Sequence, residues 1–269
     1  MNYTYKTILL ATVVAFGAAG CSEQQSSETA DTAPAETAAP MESMVPEYVS
    51  MAVSDAMRPA EDTARDADRN PAEVVTFSGL EPSDKIAELA PGGGYYTRIF
   101  AKTVGADGKV YAVIAPSFLE RRPNATDPIN AMADSYGNVE AVLSEYTELA
   151  TPEPVDMVWT SLNYHDFANG GEGNTAAVNA AALAALKPGG TYIVIDHNAE
   201  AGSGLRDTDT LHRIDGEAVK QEVLAAGFTL AGESDALDHP EDDHTQQVFA
   251  EGMRGKTDRF VLKFTKPAM

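Results

Sequence analysis

The sequence predicts an α/β fold: a single seven-stranded, mainly parallel sheet with helices on both faces, its last strand antiparallel, preceded by a helical extension. Three observations carry this expectation. Apolar, strand-like runs alternate with helical patterns from residue 85 onward, as in a parallel sheet covered on both sides. The segment Glu88-Leu-Ala-Pro-Gly-Gly-Gly-Tyr95 leads from the first such run into a helical pattern, so the backbone can turn tightly and approach a ligand at a helix N-terminus. Lys187-Pro-Gly-Gly190 and Ala225-Ala-Gly227 each stop a helix and return the chain to a strand.

The elements follow in order. Residues 46–80 read as a helical extension. Pro46 opens a helix with Tyr48, Val49, Met51, Ala52 and Met57 on its apolar face. Pro59 opens a second, carrying Asp62, Arg65, Asp66 and Arg69. Pro71 opens a third, with Val74, Val75 and Phe77 inward and its end near Gly79. Strands are expected at 85–90, 109–114, 139–143, 155–160, 191–196, 228–233 and 259–265. Helices are expected at 95–103, 127–136, 174–186 and 215–226, the last capped by Asp215. The polar stretch 234–258 is too long for a tight hairpin. No internal repeat is visible, and residues 81–269 read as one domain.

Composition bounds the partners. The chain has 269 residues and a formal net charge of −22. No basic cluster is present to neutralise phosphates, which excludes nucleic acid as a partner and argues against charge-driven binding to anionic lipid. At the N-terminus, Lys6 precedes an apolar run from Ile8 to Phe16 and then Gly17-Ala-Ala-Gly-Cys21. That run is too short for a permanent membrane span. Small residues before a cysteine resemble a bacterial lipobox. The resemblance implies a lipidated Cys21, with Ser22 favouring outer-membrane sorting and the protein facing the periplasm. An ordinary secretory signal with an incidental cysteine is the alternative. Cys21 is the only cysteine, so no intramolecular disulfide is expected. Residues 22–45, rich in Ser, Thr, Ala, Glu, Gln and Pro, read as a flexible tether.

Over roughly residues 70–267 the chain resembles the class I S-adenosylmethionine-dependent methyltransferases, and within them a group of methyltransferase lipoproteins. The residues that carry the resemblance are the glycine loop, Asn138-Val-Glu-Ala-Val-Leu-Ser-Glu145, Pro154-Val-Asp-Met-Val-Trp159 leading to Asn163-Tyr-His-Asp166, and Leu186-Lys-Pro-Gly-Gly190 leading to Tyr192-Ile-Val-Ile-Asp196. It implies a Rossmann-like fold and S-adenosylmethionine as cofactor. Glu88 then anchors the loop or the methionine amine. Gly92, Gly93 and Gly94 pass against the methionine part, with Tyr95 beside it. Glu145 faces the adenine amino group. Two positions depart from the pattern. Ala90 stands where the first glycine of the loop is expected, and Ile114 stands where an acid usually holds the ribose hydroxyls.

Residues beyond the carboxyl ends of the strands should border the pocket. Asn163 is therefore a cofactor candidate and Tyr164 a substrate candidate. His165, oriented by Asp166, is a candidate general base, or else a turn cap. Asp196 and His197 end the fifth strand, and His197 is a further catalytic candidate. Gly202-Ser-Gly204 is a candidate lid. His212 and Arg213 are candidate substrate ligands, Arg213 for a carboxylate or equally for a surface acid. Arg58 and Arg65 either face solvent or close over the pocket. Tyr95 and Tyr96 serve the cofactor or the core. His165, Asp196, His197, His212, His239 and His244, with Asp242 and Asp243, include plausible metal ligands, but no HxH, HExxH or cysteine pair occurs, so no metal is expected. The function expected is methyl transfer from S-adenosylmethionine to a small molecule by an envelope lipoprotein. The alternative is a degenerate methyltransferase fold that binds a ligand or partner in the periplasm. An oxidoreductase on the same sheet ranks third.

Overall fold

The computed structural model describes residues 44–171 and 173–268. Cys21, the signal segment and nearly all of the tether lie outside the described residues. Among those described, no helix is long and apolar enough to cross a membrane.

Seven strands form the sheet: β1 (Lys85–Leu89), β2 (Lys109–Ile114), β3 (Val139–Leu143), β4 (Val155–Ser161), β5 (Leu186–His197), β6 (Thr229–Ser234) and β7 (Arg259–Thr265). Their spatial order is β3-β2-β1-β4-β5-β7-β6. Pairs β1–β2, β1–β4, β2–β3 and β4–β5 are parallel, whereas β7 runs antiparallel to both β5 and β6. The mainly parallel sheet with an antiparallel last strand is therefore present as expected.

Side-chain alternation along the strands builds two cores. Ile86, Val110, Ala112, Ile114 and Trp159 point to one face. They pack there against α5 (Tyr95–Val104) and against Val49, Val74 and Val75 of the extension. Ala87, Leu89, Tyr111, Val113 and Val158 point to the other face. Val178 of α9 (Asn174–Ala185) and Val219 and Val223 of α10 (Gly216–Ala225) cover them. Burial on both faces explains why the central strands read as continuous apolar runs. The edge strand β6 is largely exposed.

The extension shares the first core, so it is part of the α/β body. Its helices are α1 (Glu47–Val53), α2 (Ala60–Thr63), α3 (Asp66–Arg69) and α4 (Pro71–Ser78). The second expected helix is thus two short ones. Val49 and Ala52 are buried, but Met51 and Met57, expected on the same apolar face, are exposed. With only seven residues, α1 turns just one stripe inward. Two short helices were not expected, α6 (Pro116–Arg121) and α8 (Tyr164–Ala168); α7 (Asp127–Tyr136) matches its predicted range. β5 starts at Leu186 rather than 191. Leu186 already pairs with Val155, and a register shift between Val155 and Met157 absorbs the Pro-Gly-Gly turn.

Candidate functional site

The site begins where β1 ends. Glu88 pairs with Ala112 and Trp159 of the flanking strands, which buries its carboxyl to 4% exposure. Thr97 Oγ1 of α5 donates to Glu88 Oε2 at 2.6 Å. Burial pushes the Glu88 carboxyl up to about 7, opposed by the Thr97 hydrogen bond and by Arg69 and Arg98. The chain then turns through left-handed residues, Ala90 at φ 52°, Gly92 at 58° and Gly94 at 79°. Ala90 adopts the conformation a glycine would favour, at the strain a Cβ brings there. A Cβ on Gly92 or Gly93 would meet no atom within 4 Å, and both line an open cleft. Gly94 differs. It precedes α5, and a Cβ there would lie 1.9 Å from Met132 Cε of α7.

The extension roofs this turn. Asp66 accepts from Arg58 Nη1 at 2.9 Å, Arg58 Nη2 at 2.6 Å and the Tyr95 hydroxyl at 2.6 Å. The Arg58, Arg65 and Arg69 guanidinium carbons stand 5.3, 5.3 and 4.6 Å from the Tyr95 ring centroid, a cation–π arrangement. Arg98 pairs with Asp62 at 2.8 Å and donates to the carbonyls of Gly93 and Gly94. An acid from the extension and an arginine of α5 thus hold the loop from above.

The cleft measures about 220 Å³ and is lined by Glu88, Gly92, Gly93, Tyr95, Asn163, Arg65 and Arg69 among others. Asn163 Nδ2 donates to Ser161 O at 2.6 Å and Ala90 O at 3.4 Å, tying the end of β4 to the glycine turn. A larger cleft of about 530 Å³ adjoins it, sharing Arg65, Arg69 and Leu162 and reaching His197, Phe249, Arg254 and Arg259. Burial pulls His197 down to about 3, with the nearby cations Arg259 and Arg213 reinforcing it against Asp196. His197 is therefore a neutral ring near pH 7, with Nδ1 2.8 Å from Thr257 Oγ1. It does not suit acid–base exchange at that pH.

Beside the larger cleft stands a polar cluster. The buried His165 faces Asp196 through Nδ1, at 2.9 Å from Oδ1 and 3.0 Å from Oδ2. Asp196 also accepts from the backbone N–H groups of His165 and His197, both at 2.8 Å. Burial lowers the His165 pKa, but the Asp196 carboxylate outweighs it and the ring ends above its ordinary value. Burial likewise raises Asp196, and His165 brings its carboxyl below the usual range. The residue that orients His165 is thus Asp196; Asp166, expected in that role, is exposed on the other side, 3.5 Å from Nε2. His212 Nδ1 lies 3.3 Å from His165 Nε2, and the His212 ring packs edge-on against Phe249 at 5.0 Å.

Several expected site residues are placed elsewhere. Tyr164 is fully buried, its hydroxyl 2.7 Å from Asn179 Nδ2 and 3.0 Å from Glu222 Oε2, so it cannot reach a substrate. Arg213 is also fully buried. It forms a bidentate pair with Asp242 at 2.8 and 3.1 Å and donates to the carbonyls of Gln246 and Asn198, which commits all three guanidinium nitrogens inside the protein. Glu145 does not line the cleft; it accepts from Ser117 N at 2.9 Å and Ser117 Oγ at 2.8 Å at the start of α6. Gly94 lies below the loop, outside the cleft lining. Ile114 is a core residue at 3% exposure and offers no acceptor. Gly202 and Gly204 are no free lid, since their N–H groups donate to Asp215, which also caps α10 through Glu217 N. Sequence reasoning missed Arg69, Thr97 and Phe249. Thr97 carried a usable signal, because a hydroxyl two residues into the helix after a glycine turn faces back toward the strand end.

No protein-family model and no curated protein matches the chain. Solved structures do match. A SAM-dependent methyltransferase from Aquifex aeolicus aligns at 20% identity and TM-score 0.50, over 73% of this chain and 89% of that one. The N-methyltransferase NodS from Bradyrhizobium japonicum aligns at 11% identity and TM-score 0.54, over 77% and 99%. The cyclase SpnF aligns at 15% identity and TM-score 0.54, over 76% and 82%. At such identities the likeness concerns the fold, and function has to be argued from the site. The chain has the Rossmann-like methyltransferase fold, with its cleft at the glycine turn after β1.

Proposed function

We propose that this protein binds S-adenosylmethionine in the Glu88 cleft and transfers its methyl group to a small acceptor lodged in the adjoining larger cleft. The observation that carries the reading is a buried carboxyl with no ion-pair partner among the described residues, beside a glycine turn whose Gly92 and Gly93 leave free volume. A cationic amine at Glu88 would supply the charge that burial withholds. Arg65 and Arg69 suit the neighbouring carboxylate. The amino-acid end of the cofactor therefore fits the residues present. At the ribose end Ile114 offers no acceptor, and Glu145 is held by Ser117 outside the cleft lining, so the reading rests on the amino-acid end.

S-adenosylmethionine supplies an electrophilic methyl carbon, which an acceptor lone pair attacks as the carbon–sulfur bond breaks. This chain's part is alignment and exclusion of water. Leu162, Arg65 and Arg69, common to both clefts, mark the passage between donor and acceptor. Arg254 and Arg259 line the larger cleft beside the acids Glu61, Asp62 and Asp68, so it offers cations to an anionic group of the acceptor, and Phe249 favours an apolar body.

Calorimetry of the full chain with S-adenosylhomocysteine tests the reading. One-to-one binding is expected, with Glu88→Gln weakening S-adenosylmethionine by about tenfold or more through loss of a charge-assisted contact. No detectable binding of either compound would refute it. A second reading, ligand binding without transfer, draws on the burial of Ile114. Binding together with no methyl transfer to any anionic aromatic acceptor supplied would favour it. The envelope location and lipidation of Cys21 belong to the same proposal and rest on the Gly17–Cys21 pattern. Mass spectrometry of the mature N-terminus checks them, and an unmodified Cys21 would remove the anchor.

A further inference from the structure

Three donor atoms converge at the outer end of the His165–Asp196 pair. His165 Nε2 and His212 Nδ1 lie 3.3 Å apart, Asp166 Oδ1 is 3.5 Å from the first and 4.0 Å from the second. The point equidistant from all three is about 2.1 Å from each, which is the bond length zinc makes to imidazole nitrogen and carboxylate oxygen. We propose that His165, Asp166 and His212 form a site for one divalent cation of the zinc class, with a further coordination position open to solvent.

The surroundings are those of a built ligand set. Both Asp196 oxygens face His165 Nδ1, which holds the proton on that nitrogen and turns the Nε2 lone pair outward. Asp196 is itself fixed by two backbone N–H groups and has no exposure. A carboxylate behind the imidazole in this way sets tautomer and ring orientation in metal sites. The outward lone pair then meets a second ring nitrogen, an arrangement that needs a shared proton or a cation between them. His212 is held to face it by a left-handed backbone (φ 55°) and by Phe249 against its ring. Two imidazoles and one carboxylate suit zinc and its neighbours rather than calcium or magnesium. The burial gradient, His165 buried, His212 half-buried and Asp166 exposed, leaves the solvent side without a protein ligand, as in open rather than structural sites. Sequence spacing gave no sign of the set because the ligands come from separate segments, helix α8 after β4 and the loop between β5 and α10.

Cation binding does not depend on methyl transfer, so its test reads metal alone. The full chain, stripped with a chelator, is titrated with Zn²⁺ by calorimetry and with Co²⁺ by visible absorbance. One equivalent of Zn²⁺ and a visible Co²⁺ band are expected. His212→Ala and the exposed Asp166→Asn should each weaken Zn²⁺ by more than roughly tenfold, and Asp196→Asn, one shell out, by about 10–100-fold. His244→Ala, in the separate His244–Asp258 pair at 3.1 Å, should bind as the parent does. Circular dichroism checks that each variant is folded; Asp166→Asn keeps the test decisive if His212→Ala is not. Absence of stoichiometric binding overturns the proposal. So does affinity that survives both Asp166→Asn and His212→Ala, or that is lost in His244→Ala. If His165 and His212 share only a proton, no Zn²⁺ equivalent will be taken up.

Discussion

At the residue scale, Glu88 concentrates the chemistry of the cleft. Its folded pKa of about 7 lies above the ordinary 4.5, because burial penalises the carboxylate. The native state therefore keeps a proton that the unfolded chain has lost between those pH values. Stability without ligand should fall as pH rises from about 4.5 to about 7 and then level off, by roughly 3 kcal/mol for this group. Glu88→Gln removes that dependence. Urea denaturation at pH 5 and pH 8 should show the variant close to the parent at pH 5 and more stable by about 2 kcal/mol at pH 8. An equal offset at both pH values would show that Glu88 is not held near 7. A bound cation at Glu88 reverses the preference, so affinity for S-adenosylmethionine should rise through about pH 7 as the carboxyl ionises. Glu88, Gly92 and Gly93 were legible in the sequence because a strand end followed by glycines is a local pattern. For the opposite reason Tyr164 was misread, and Arg213, left open between a substrate and a surface acid, pairs with the buried acid Asp242. Their positions after strand ends suggest a pocket, but whether a side chain points to the cleft or into the core depends on what packs over it.

At the element scale, the long connection between β6 and β7 is anchored by one buried ion pair. Arg213 and Asp242 each have no side-chain exposure, and Asp242 also accepts from the backbone N–H of Asp258 at 2.7 Å. Removing one partner strands the other charge inside. Arg213→Ala should lower stability by about 3–5 kcal/mol and open residues 235–258 to proteolysis. An unchanged melting temperature would contradict this anchor and restore Arg213 as a candidate substrate ligand. The extension shows a similar limit to sequence reading. Its prolines marked three helix starts, yet Arg58, Asp66 and Tyr95 form a network across separate elements that no periodicity discloses. Arg58 and Arg65 were left between solvent and pocket. Arg58 is buried on Asp66, while Arg65 and Arg69 line both clefts.

At the scale of the whole molecule, a net charge of −22 repels itself in the compact state. Raising NaCl from about 10 to about 150 mM shortens the screening length from about 30 to about 8 Å and should raise the melting temperature. A temperature independent of salt would mean that the acids are already neutralised locally, and binding of a cation at the His165 cluster would be one place to look. The antiparallel last strand came with the family resemblance, while the sequence alone determined the α/β class, the seven strands and the position of the glycine turn. These follow from alternation, turn residues and apolar runs, all of which act over a few neighbouring residues. Only the tertiary structure decided that Asp196 rather than Asp166 orients His165, that Glu145 is bound to Ser117, that Arg213 is an anchor, and that His165, Asp166 and His212 converge. Those outcomes depend on which distant segments share one end of the sheet and which charges are buried together, and chain-local patterns carry no information about either.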